Sequence, residues 1–139
     1  MSVNVLLADD EKGFVDALDR RLTKRGYTVQ QVNSGKAAVG ILADDSSVDV
    51  VVLDVRMPEP NGLDTLHLIK TKYPAVEVIM LSAHGTPLCT MESIRWGAFK
   101  FLTKPVELDE LVKTIDEAAK VGRFHRQKIN AKELQMDQA

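Results

Sequence analysis

The sequence predicts an α/β fold built around a five-stranded parallel sheet. Three observations predict it. Short apolar runs rich in β-branched residues alternate with segments of helical period, each run ends in a polar turn, and the alternation occurs five times along the chain. That rhythm marks βαβ units, in which each helix carries the chain back across the sheet between parallel strands.

The first strand is read at Val3 to Ala8 and the first helix from about Lys12 to Arg25, with Phe14, Ala17, Leu18 and Leu22 on one apolar face. Gly26 is placed to end that helix, because a glycine accepts the left-handed conformation of a helix C-terminus without strain. The second unit runs from Tyr27 to Val32, takes Ser34 as helix N-cap, and carries Ala37, Ala38, Ile41 and Leu42. A polar turn, Asp44 to Ser47, leads into the third strand at Val48 to Asp54, whose β-branched run suits a central strand buried on both faces. Pro58, Pro60, Asn61 and Gly62 make a loop, followed by a helix from about Leu63 to Lys72 and a stop at Pro74. Val76 to Leu81 is the fourth strand, Gly85 and Pro87 mark the next loop, and a helix from about Leu88 to Trp96 closes at Gly97. Phe99 to Leu102 is the fifth strand. Past Lys104 and Pro105, a helix beginning near Glu107 presents Leu108, Leu111, Val112, Ile115, Ala118 and Ala119 at spacings of three and four. Beyond Val121 the apolar period weakens. Residues 1–121 are therefore expected to form one domain, with 122–139 a helix extension or polar tail, or the start of a linker.

A length of 139 residues supports one core, and 45% apolar with 27% charged residues is the balance of a globular protein rather than a disordered one. A formal net charge of -2 carries no basic footprint for nucleic acid, so direct nucleic-acid binding is not expected. The longest apolar runs are far too short to span a bilayer, and Met1 to Asp10 lacks the basic region of a secretory signal; the expected location is cytoplasmic, off the membrane. Cys89 stands alone, which excludes an intrachain disulfide or a thiolate cluster and leaves it as a helical packing residue.

In an open parallel sheet, functional groups gather beyond the carboxyl ends of the strands, where the strand-to-helix loops meet. Here the first strand ends in Asp9, Asp10 and Glu11, the third in Asp54, the fourth in Ser82, and the fifth is followed by Thr103 and Lys104. Singly, these are ordinary turn, cap and surface residues. Together they put carboxylates, a hydroxyl and an ammonium at one edge, and neighbouring carboxylates repel one another unless a cation intervenes. Oxygen-only ligands in a partly open site suit Mg2+. With that repulsion neutralised, the carboxylate of Asp54 is a competent nucleophile toward a phosphoryl group, with Mg2+, Lys104 and Ser82 placed to stabilise the charge on its oxygens.

The segments LLADDE, VVLDVRMP, MLSAHG and FLTKP, in this order at the ends of strands one, three, four and five, resemble the receiver domains of response regulators in two-component signalling. The resemblance covers about Val3 to Ala119. It implies a flavodoxin-like, doubly wound sheet in order 2-1-3-4-5 and a cis bond between Lys104 and Pro105. It implies Asp54 as phosphoacceptor, Asp9 and Asp10 as Mg2+ ligands directly or through water, and the backbone carbonyl of Arg56 as a further ligand. Ser82 and Lys104 would contact the phosphoryl oxygens. Movement of Ser82 would let Phe101 turn inward and rebuild the face of helix four, strand five and helix five. Many relatives carry a tyrosine where this chain has Phe101, so a partner contact through that hydroxyl is lost here. Arg56 and His84 stand where the family tunes attack by water, and neither is the amide or carboxylate of rapidly dephosphorylating members; a phosphoryl lifetime of many minutes or longer is expected. Trp96, near the same face, is either helix-end packing or a partner contact. The RMP and AHG variants resemble receivers of nitrogen-regulation and nitrogen-fixation types, often joined to effector domains. A sensor histidine kinase, a phosphotransfer protein or a small phosphodonor such as acetyl phosphate would load Asp54, for a downstream protein partner and a phosphorylation-dependent homodimer.

Three other classes fit less well. A phosphohydrolase with an aspartyl-phosphate intermediate needs a carboxylate two residues past its nucleophile, where this chain has Arg56, so the chemistry is expected to be self-directed rather than enzymatic turnover. A flavin carrier of the same topology needs a Ser-, Thr- and Gly-rich loop after the first strand, where the acids stand. A scaffold independent of phosphorylation has no need of the acidic set.

Overall fold

A computed structural model describes residues 2–137. In chain order the elements are β1 (Asn4–Ala8), α1 (Lys12–Lys24), β2 (Thr28–Val32), α2 (Gly35–Asp44), β3 (Val50–Leu53), α3 (Gly62–Lys72), β4 (Glu77–Ser82), α4 (Pro87–Arg95), β5 (Lys100–Thr103) and α5 (Leu108–Asp137). All strand pairs are parallel and the sheet order is β2-β1-β3-β4-β5, as the sequence implied.

Because side chains alternate across a strand, each central strand feeds two cores. Val5 and Leu7 of β1, Val50 and Val52 of β3, and Ile79 and Leu81 of β4 meet α1 and α5 on one face. Leu6 and Ala8, Val51 and Leu53, and Val78 and Met80 meet α2 and α3 on the other. The interiors of the central strands thus read as apolar runs, while the edge strand β2, with Gln30 and Gln31, is only partly covered.

The helix ends follow from local chemistry. Ser34, Asn61 and Thr86 cap α2, α3 and α4 by accepting from the backbone N–H groups of Ala37, Asp64 and Cys89. At the end of α1 the N–H of Gly26 donates to Thr23 and that of Tyr27 to Leu22, a two-bond closure that holds Gly26 at φ 95°. Two X-Pro bonds are cis, the implied Lys104–Pro105 and, in the loop before α3, Glu59–Pro60.

One expectation changes. The inward side of α1 consists of Val15, Leu18 and Leu22, with Phe14 and Ala17 only half-buried at its margin, because the face that meets sheet and α5 is rotated by one residue from the face read in sequence. Of the readings offered for 122–139, the helix extension describes the structure through Asp137, where α5 ends; residues 138 and 139 lie outside the described residues. At Gly122 this helix runs so close to the loop before β4 that a Cβ would stand 2.6 Å from the carbonyl oxygen of Ala75. One residue on, the Arg123 guanidinium donates to both carboxylate oxygens of the buried Asp49, at 3.1 and 3.0 Å. Asp49 in turn accepts from the backbone N–H of Asn4, so the start of β1, the approach to β3 and the extension of α5 share one carboxylate.

Candidate functional site

The carboxyl edge of the sheet is an acid cluster closed by one lysine. Parallel pairing carries β1 and β3 to the same level, and the Asp54 N–H continues the ladder to the carbonyl of Ala8 at 3.0 Å. Asp9 and Asp54 therefore emerge side by side, 7% and 4% exposed. Lys104 reaches them from the loop after β5, which the backbone bond from Lys104 N–H to the Ser82 carbonyl holds against β4. Its Nζ lies 2.7 Å from Asp9 Oδ2, 3.2 Å from Glu11 Oε1 and 3.6 Å from Asp54 Oδ2.

Local hydrogen bonds aim the carboxylates. Asp9 Oδ1 accepts from the Glu11 N–H at 2.9 Å, a turn that leaves Oδ2 free for Lys104. Asp54 Oδ1 accepts from the Arg56 N–H at 3.2 Å, which leaves Oδ2 facing the cluster. Burial pushes the Asp9 carboxyl above the usual carboxylate range and the charge of Asp54 adds to that, with the Lys104 and Glu11 hydrogen bonds only partly opposing it. For Lys104, burial works toward the neutral amine, but the hydrogen bond to Asp9 and the charges of Asp9 and Asp54 outweigh it and hold the ammonium above the usual lysine range. The two shifts thus differ in their leading cause, burial for Asp9 and the surrounding carboxylates for Lys104.

Oxygens of Asp9, Glu11 and Asp54 all lie within 4.8 Å of one another. Glu11 was not singled out in the sequence; its signal was only its place beside two aspartates. Asp10 is exposed and does not join this group; it lines an open cleft with Arg56, Met57 and Asn61. Ser82 is fully buried at the end of β4 and its hydroxyl accepts from the His84 N–H at 3.2 Å, within its own loop. Arg56 and His84 are exposed on the two loops that flank the cluster. Phe101 is half-buried with its ring under the same loop as His84, where a Cβ on Gly85 would approach it to 2.5 Å. Trp96 is half-buried at the end of α4 and stacks obliquely on His67 of α3, 5.2 Å between centroids. Cys89 is a free, half-buried thiol in the first turn of α4.

Gly62, the first residue of α3, packs directly on the backbone that presents Asp54, and a Cβ there would collide with the Asp54 carbonyl oxygen. Backbone on both sides leaves nothing free to move aside. Gly62→Ala is expected to cost about 1–3 kcal/mol, read as a lowered urea midpoint, and to slow chemistry at Asp54 by displacing it.

Fold and edge together define a flavodoxin-like α/β protein with an acidic pocket at the carboxyl ends of its strands. The chain belongs to the response regulator receiver domain family, whose model matches residues 5–116. It is 38% identical over 115 residues to the transcriptional regulatory protein GlrR of Escherichia coli (strain K12), which covers 83% of this chain and 26% of that protein. Among solved structures, NtrX from Brucella abortus superposes with a TM-score of 0.83 at 26% identity, over 94% of this chain and 30% of NtrX. The beryllofluoride-activated NtrC4 receiver domain dimer matches at a TM-score of 0.80 and 29% identity, over 86% of this chain and 98% of that one. This chain thus spans about a quarter of the length of the curated relatives it matches. Among the described residues no helix is long and apolar enough to cross a membrane.

Proposed function

We propose that this receiver accepts a phosphoryl group on Asp54, from a sensor histidine kinase, a phosphotransfer protein or acetyl phosphate, and passes the change to a protein partner. The observation that carries this reading is the single ammonium of Lys104 held among Asp9, Glu11 and Asp54 at the carboxyl edge of the sheet. An Asp54 oxygen attacks phosphorus, the bond from phosphorus to the donor atom breaks, and the electron pair leaves with the donor. Lys104 meets the charge that builds on the transferred oxygens, and Ser82 turns from His84 to bond one of them.

The all-oxygen donor set fits a hard divalent ion: Asp9, Asp10 and Asp54 would hold Mg2+, with the Arg56 carbonyl beside them and Glu11 as a further candidate. When bound, Mg2+ neutralises the carboxylate charge that would otherwise repel the phosphoryl group. The switch in this reading runs from Ser82 to Phe101, whose ring is already in contact with the loop that must move, and outward to the surface of α4, β5 and α5. Trp96, half-buried at the end of α4, packs toward α3 through His67. A homodimer formed on phosphorylation, cytoplasmic residence and slow loss of the group are parts of the same reading; the last follows from exposed Arg56 and His84 standing where rapidly dephosphorylating members carry an amide and a carboxylate.

Incubation with acetyl phosphate and Mg2+ is expected to add one phosphoryl mass to the wild type and none to Asp54→Asn. Followed by intact mass after removal of donor, the adduct should persist for many minutes at neutral pH. No gain by the wild type, equal gain by Asp54→Asn, or loss within seconds would each overturn the corresponding part of the reading.

A further inference from the structure

A lysine ammonium is a compact charge on a flexible four-carbon stem, so its position is set by its surroundings. Around Lys104 Nζ the hydrogen-bonding neighbours are carboxylates, Asp9 and Glu11, with Asp54 at ion-pair distance. Every one of these is a ligand that a divalent cation would also claim. One neighbour is not. The ring of Phe14, in the first turn of α1, lies 4.2 Å from Nζ to its centroid, well within the range of a cation–π contact.

We propose that Phe14 is a positioning residue for Lys104: its ring face keeps the ammonium beside Asp54 when the carboxylates turn to a metal ion. This rests on the reading of Lys104 as the partner of the phosphoryl oxygens. Phe14 packs against the margin of the core shared by α1 and α5, a role that needs no aromatic ring. The inward side of α1 is filled by Val15, Leu18 and Leu22, while Phe14 remains half-buried and borders a cleft of about 230 Å3 between α1 and the start of α5. An aliphatic residue would cover that margin equally well, but it offers no negative π-face to a cation.

The test compares Phe14→Leu, Phe14→Tyr and site-specific pentafluorophenylalanine at position 14, which keeps the ring's shape and reverses its quadrupole. Phosphoryl gain from acetyl phosphate with saturating Mg2+ is expected to slow roughly three- to thirtyfold in Phe14→Leu, and by a similar factor with the fluorinated ring. Phe14→Tyr should restore the wild-type rate. The midpoint for Mg2+ binding, read by amide resonances of the Asp9 loop, should move by no more than about twofold, because a phenyl ring offers no ligand atom to the ion. The Lys104 side-chain methylene resonances should lose their upfield ring-current shift in Phe14→Leu and keep it in Phe14→Tyr. A fluorinated variant as fast as the wild type would overturn the proposal and leave simple packing; so would a Phe14→Leu variant with unchanged rate and unchanged Lys104 resonances. Failure of the wild type to gain mass would instead remove the reading beneath it, which the Lys104 resonances would show separately from the loss of the contact.

Discussion

Lys104→Met is expected to lower the rate of phosphoryl gain by about 10²–10³ and, in metal-free buffer, to lower folding stability by about 3 kcal/mol. The first effect follows from transition-state charge: Lys104 is the one cation among the described groups of this cluster, and methionine keeps its length but neither its charge nor its donors. The second follows from burial. The Lys104 and Asp9 side chains are each 8% exposed and that of Asp54 4%, so solvent cannot replace the ammonium, and two enclosed carboxylates are left to repel one another. A divalent cation removes that repulsion. Millimolar Mg2+ should therefore stabilise Lys104→Met by more than it stabilises the wild type, since a ligand adds stability in proportion to its preference for the folded site. Urea titrations of both proteins, with EDTA and with Mg2+, measure the difference directly. A variant that gains phosphoryl within tenfold of the wild-type rate would take Lys104 out of the chemistry, and equal Mg2+ stabilisation of both would mean that ammonium and metal ion do not compete for the same oxygens.

What could be read in advance divides along a physical line. Asp9, Asp54 and Lys104 were legible because they end strands of a parallel sheet, and topology alone brings such ends together. Which of three consecutive acids turns inward was not legible. That choice is made by the turn in which Asp9 accepts from the Glu11 N–H, and it sends the Glu11 side chain to Lys104 while Asp10 stays on the open side. Phe14 was legible as an apolar residue of α1 but not as a neighbour of Lys104, because a one-residue rotation of the buried face separates it from Val15, Leu18 and Leu22. The sheet and its order came through cleanly, since central strands carry apolar runs and the loop motifs fall at their ends. A helix extension past Val121 was among the expected readings, but how it is held was hidden for a different reason. Its attachment past Val121 is made by arginines rather than by an apolar stripe, so no hydrophobic period announces it.

That attachment predicts the second large effect. Arg123→Ala should lower stability by about 2–3 kcal/mol, because it strands Asp49, 4% exposed, with the Asn4 N–H as its remaining hydrogen-bond partner. The Arg123 side chain is 30% exposed, which puts the value below that of a fully enclosed pair. Asp49→Asn keeps an acceptor for Asn4 and removes the charge, so it should cost less, and the double variant should cost less than the sum of the two. The consequence reaches past the pair. Beyond Gly122 the extension leans on its neighbours through half-buried Arg123, Arg126 and Ile129, and a helix of this length without tertiary support is marginal in water. Arg126 adds one long bond to the Val48 carbonyl at 3.4 Å, too weak to hold the segment unaided. In Arg123→Ala the backbone amides after Gly122 should therefore exchange with solvent deuterium many times faster, while those around Leu111 and Ile115, packed on the sheet, keep their protection apart from the global loss. Additive single and double variants, or unchanged exchange after Gly122, would show that the extension stands without its arginine anchor.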